Sequence, residues 1–157
     1  MLKRFYVLVT LILMIAIPAL GQQDAAYWFN KGMELYNQNN FNGSIEAYDK
    51  ALEIDPDDAQ AWNNKGVALG LLARFDEALP AFRQATTLNS SYAEAWYNMG
   101  MVLDFQKNYG AAIQAYKTAT QINPSYQKAW ENRNFAANRV IGPFLCGGCG
   151  PGQIPYV

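Results

Sequence analysis

Apolar residues recur at a helical step through the middle of the chain. Between Ala25 and Asn37 the pattern is carried by Trp28, Leu35 and Tyr36. Between Asn42 and Ile54 it is carried by Ile45, Tyr48 and Leu52, with Ala51 at a looser step. The segment Asn39-Asn40-Phe41-Asn42-Gly43 interrupts the stripe and reads as a turn, and Asp55-Pro56 stops the second stripe. The pattern predicts two amphipathic helices joined by a short turn.

The pair then returns. Tryptophans stand at 28, 62, 96 and 130, a step of 34 residues each time. Gly32, Gly66 and Gly100 keep that step, as do Tyr48, Phe82 and Tyr116, and Ala51, Ala85 and Ala119. Pro56 and Pro124 also keep it, with Ser90 in the middle copy. One helix pair cannot bury its apolar face alone, whereas stacked pairs bury a continuous core. A missing side chain at Gly32 and a small one at Ala51 let partner helices approach closely.

These residues and this period resemble the tetratricopeptide repeat family. The copies are residues 25–58, 59–92 and 93–126, and a capping helix over 127–140 covers the open end of a repeat domain spanning 25–140. The resemblance implies an all-α, right-handed superhelical solenoid of three helix pairs plus the cap. Lys31 and Lys65 depart from the family's leucine, Ser44 from its alanine, and Pro80 falls inside a predicted second helix and loosens its start. The long stems of the two lysines can cover apolar surface with the amine in water.

The resemblance also implies a site. In this family the first helix of each pair lines a concave groove. Carried over by position, the peptide-binding residues are Phe29, Asn30, Met33 and Tyr36 in the first copy, and Asn63, Asn64 and Val67 in the second. Tyr97, Asn98, Met101 and Phe105 follow in the third, and Asn132 in the cap. Gly70, Leu71, Glu94 and Asp104 share the same register. Asn30, Asn64, Asn98 and Asn132 form a ladder of amides that can pair with a peptide backbone whatever its side chains. Packed helices lie about 8–10 Å apart and an extended chain advances about 3.3 Å per residue, so one rung meets roughly every third ligand residue. The bland alternative is that these asparagines bond to neighbouring helices. The groove lacks the row of Lys and Arg with which some members clamp a terminal carboxylate: the fifth positions are Phe29, Asn63 and Tyr97, and Lys128 is the one cation.

Residues 1–21 form a separate segment. Lys3 and Arg4 precede an uncharged apolar run from Phe5 to Ile17, then Pro18 and Ala19-Leu20-Gly21, the layout of a signal peptide cleaved after Gly21. The alternative is an uncleaved anchor over residues 5–20, about 24 Å of helix against a hydrocarbon core of about 30 Å. Both predict an exported protein, secreted or held at the cell envelope, with membrane contact only through this segment.

Composition then narrows the chemistry. The chain has 157 residues, 51% of them hydrophobic, and a formal charge of −1. No basic run exists to form a nucleic-acid footprint. The absence of histidine excludes Ser-His-Asp and Cys-His machinery and His-ligated zinc. No phosphate loop or metal cluster is visible, so neither an enzyme activity nor a cofactor or metal is expected. Residues 141–157 are dense in Gly and Pro and are expected to be a loose tail; Cys146 and Cys149 within it suit a local or intermolecular disulfide, or half of a zinc site shared between chains. The expected function is a scaffold that binds another protein or peptide. The alternative is a membrane-anchored component that self-associates through the groove or the tail.

Overall fold

A computed structural model describes residues 24–145, with side chains to residue 140. The leader at 1–21 and the cysteines at 146 and 149 lie outside the described residues. Seven helices and no strands make up the described chain. They are α1 (Ala25–Asn37), α2 (Phe41–Ile54), α3 (Ala59–Leu71), α4 (Phe75–Leu88), α5 (Ala93–Phe105), α6 (Tyr109–Ile122) and α7 (Gln127–Leu145).

Each helix packs on the next. The first helices of successive pairs also touch, α3 on α5 and α5 on α7, so they stand side by side on one face of the solenoid. The core is a row of rings under that face. Tyr48, Phe82 and Tyr116 are fully buried on α2, α4 and α6. Each lies where a side chain on the facing first helix would stand: a Cβ added at Gly32, Gly66 or Gly100 would come within 2.6, 2.8 or 2.6 Å of the ring opposite. These three glycines are therefore fixed by packing. Ala61, Ala95 and Ala129 are completely buried for the same reason, because adjacent helices leave no room for a larger group.

The turns also repeat. Asn39, Ala73 and Lys107 adopt left-handed backbone with φ of 59°, 56° and 61°. The amide after each, at Asn40, Arg74 and Asn108, donates to a carbonyl five residues back, at Leu35, Leu69 and Leu103. This closes each first helix in a Schellman motif. The turn is consequently shorter than the sequence suggests: Phe41, Asn42 and Gly43 belong to α2, and the Asn40 side chain caps it by accepting from the Gly43 amide at 3.1 Å. Trp62, Trp96 and Trp130 tie the turns between pairs, each indole donating to the carbonyl six residues earlier, at Pro56, Ser90 and Pro124 (2.9–3.0 Å).

Where the chain departs from the repeat pattern, a local partner compensates. Buried Ser44 donates its hydroxyl proton to the Gly32 carbonyl at 2.9 Å. Lys65 pairs with Asp49 and lies over the Trp62 ring, and Lys31 pairs with Glu34. Pro80 does not loosen the start of α4, which is helical from Phe75. The Glu77 and Ala78 amides both donate to the Arg74 carbonyl, closing the first turn before the proline is reached. The capping helix is also longer than its expected end at 140. It runs through Gly142-Pro143 to Leu145, because a proline deletes one hydrogen bond of a helix already committed, as at Pro80.

Candidate functional site

The first helices present a shared face with two adjoining pockets. One, of about 250 Å³, is lined by Met33, Tyr36 and Asn37 of α1, Tyr48 of α2, Asn64 and Val67 of α3, and Glu94 at the start of α5. The other, of about 240 Å³, is lined by Gly66, Val67, Gly70 and Leu71 of α3, Phe75 and Phe82 of α4, and Asn98, Met101, Val102 and Phe105 of α5. Val67 is common to both. The first pocket mixes amides and a carboxylate with apolar walls, whereas the second is almost entirely apolar.

Of the residues expected from sequence, Met33, Tyr36, Asn64, Val67, Asn98, Met101 and Phe105 line these pockets. Phe105 is 69% exposed and lies flat on Phe75, with ring centroids 5.5 Å apart. Tyr36 meets Phe41 edge-on at 5.6 Å. Asn30 is exposed and lines neither pocket. Phe29 and Tyr97 are half-buried and turned toward the core. Phe29 packs on Tyr48, and Tyr97 packs on Tyr116 and Tyr126.

Asn63 is not a groove residue. It is 1% exposed and its amide is used internally. Its Nδ2 donates to Asn64 Oδ1 and to the Tyr92 hydroxyl, both at 3.3 Å, while its Oδ1 accepts from Asn98 Nδ2 at 3.1 Å. Asn132 Nδ2 likewise donates to the Tyr97 hydroxyl at 3.2 Å. Two of the four ladder amides, Asn98 and Asn132, thus bond to a neighbouring helix, and Asn64 accepts from the adjacent Asn63. Asn98 is nearly buried, and an amide at that depth must be paired because an unmet hydrogen bond there is costly. Burial raises the phenol pKa of both Tyr92 and Tyr97, while the asparagine hydrogen bonds partly oppose it. Both phenols therefore remain neutral acceptors at ordinary pH.

Sequence reasoning missed the second-helix contribution. Tyr48, Phe75 and Phe82 reach the pockets from behind the first helices. A signal was available: Phe41, Phe75 and Tyr109 keep the 34-residue step at the start of each second helix, next to groove positions across the turn.

An all-α solenoid of helix pairs with a pocketed face formed by its first helices defines the class of helical-repeat interaction scaffolds. The family described as "Tetratricopeptide repeat" matches residues 59–92 and 93–126, and the one described as "TPR repeat" matches residues 32–72. The chain belongs to the tetratricopeptide repeat family, whose domains are protein–protein interaction modules. Several solved structures share its fold. The first TPR of Spaghetti (RPAP3), bound to the HSP90 peptide SRMEEVD, superposes with a TM-score of 0.73 at 22% identity, over 76% of this chain and 95% of that one. The TPR2B domain of yeast Sti1, in its pHsp70 complex, gives 0.70 at 18% identity, over 73% and 97%. MamA gives 0.74 at 25% identity, over 80% and 73%. Among curated proteins no match is found.

Proposed function

We propose that this chain is a non-catalytic scaffold that holds an extended segment of another polypeptide against α1, α3 and α5, outside the cytoplasm. The observation that carries the reading is the pair of adjoining pockets that share Val67, on the face where the first helices stand side by side. An extended chain alternates its side chains, so one face of a bound strand offers a side chain to each pocket in turn. The exposed Phe105, Leu71 and Met33 at their rims are apolar surface of the kind that marks a contact site. Asn64 and the edge of Asn98 supply amides for the ligand backbone.

The segment bound is not an acidic tail. The Spaghetti domain holds SRMEEVD, but here the pockets contain a carboxylate, Glu94, and no lysine or arginine. Export rests on the leader, whose basic start, apolar run and small residues at its end fit a signal peptide or anchor.

A photoactivatable phenylalanine analogue at Phe105, and separately at Met33, tests the groove in cells of the source organism. Expected is a crosslink to another polypeptide from both positions and none from the same analogue at Gln84 on α4. Crosslinks from Gln84 alone would sink the reading. Recovery of the chain crosslinked to itself would turn it toward self-association. Export is tested by fusing alkaline phosphatase after residue 157, since that enzyme is active only where disulfides form. An inactive fusion made at normal levels would refute it.

A further inference from the structure

Gly70 stands apart from the other glycines on the first helices. Gly32, Gly66 and Gly100 each oppose a buried ring too closely for a Cβ. A Cβ at Gly70 would meet only Val102 Cγ2, at 3.9 Å, an ordinary contact. Neither packing nor a left-handed backbone requires glycine here, in the last turn of α3, and a helical glycine is less stable than alanine. The same register position is Tyr36 in the first copy and Asp104 in the third. What the missing side chain does is open the apolar pocket, whose walls include Leu71, Phe75, Met101 and Phe105. Its volume of about 240 Å³ exceeds the roughly 150 Å³ in which an apolar protein cavity takes up benzene, so a leucine or phenylalanine side chain fits.

The adjoining pocket supplies the second half of the specificity. Glu94 has no hydrogen-bond or ion-pair partner among the described residues, whereas Asp104, the next carboxylate along α5, is paired with Arg139 at 3.1 Å. Because the two pockets share Val67, their occupants are neighbours. Met101 and Phe105 lie seven and eleven residues beyond Glu94 on α5, about 10–16 Å along the helix, or roughly three to five residues of extended chain. We propose that Gly70 opens a socket for one bulky apolar side chain of a bound extended peptide, and that Glu94 selects a lysine or arginine roughly three to five residues away. This rests on the groove being the binding site.

The test uses the full chain and a randomised library of ten-residue peptides with acetylated and amidated ends. Expected are selected sequences carrying Leu, Ile, Phe or Met with Lys or Arg roughly three to five positions off. Gly70→Leu, which fills the socket, should weaken the selected peptides roughly tenfold or more at unchanged helicity. Glu94→Lys should replace the cationic preference with an acidic one. Should Gly70→Leu misfold, Gly70→Ala serves, with a loss of about threefold. If Gly70 variants bind as tightly as the parent while Val67→Asp abolishes binding, the groove stands and the socket is wrong. If no library peptide binds the parent chain, the groove reading falls and this inference with it.

Discussion

Gly66 and Gly70 lie one turn apart on α3, yet a methyl group at each has opposite consequences. At Gly66 a Cβ would stand 2.8 Å from the Phe82 ring, which is fully buried and cannot move aside. Overpacking of that kind costs about 1–3 kcal/mol, more than the roughly 1 kcal/mol that alanine gains over glycine in a helix. At Gly70 the gain comes without the clash. Gly66→Ala is therefore expected to lower the urea midpoint of unfolding and Gly70→Ala to raise it, read by circular dichroism. A rise at both positions would mean that the rings adapt. Gly32, Gly66 and Gly100 were legible as close-approach positions because the 34-residue period repeats them within the chain. The register also set Gly70 apart, at the position held by Tyr36 and Asp104 in the other copies, but the space a Cβ would find there depends on what lies across the helix interface.

The Schellman turns put a non-glycine residue in left-handed backbone three times over. Asn39 tolerates that conformation, but Ala73 has no side-chain group to compensate for the crowding of its Cβ against the backbone. Ala73 is exposed, so replacing it removes no packing. Ala73→Gly should raise the unfolding free energy by about 1 kcal/mol, and Asn39→Ala should lower it, both measured by denaturant titration. A neutral Ala73→Gly would show that the turn is held by its flanking hydrogen bonds alone. Helix existence and order were legible in the sequence because the apolar stripes are strong. The ends were less so. Gly43 and Pro80 are ordinary breakers by composition, yet the hydrogen bonds from Gly43 to the Asn40 side chain and from Ala78 to the Arg74 carbonyl fix the helix starts ahead of them. Asn63 was misassigned for a related reason. Its repeat position points toward the groove, but the neighbouring pair brings Tyr92 and Asn98 over it.

Across the whole molecule, the stacking of rings behind the first helices makes stability depend on keeping phenols neutral. Burial raises the pKa of Tyr48, Tyr92, Tyr97 and Tyr116, and pushes Tyr126 up to about 12. In the unfolded chain each titrates near 10. Between about pH 10 and pH 12 the unfolded chain has lost these protons and the folded chain has not, so deprotonation favours unfolding. The contribution is fully present below about pH 10 and is lost as the pH rises through the folded values. Lysines titrate in the same window, so the decisive comparison is a difference. Tyr126→Phe, which keeps the ring against Tyr97 and removes the ionisable group, should show a shallower fall in urea midpoint between about pH 9.5 and pH 11.5 than the parent. Tyrosinate absorbance should rise in step with unfolding in the parent rather than ahead of it. Equal slopes in the two proteins would show that the Tyr126 phenol contributes nothing to the alkaline loss.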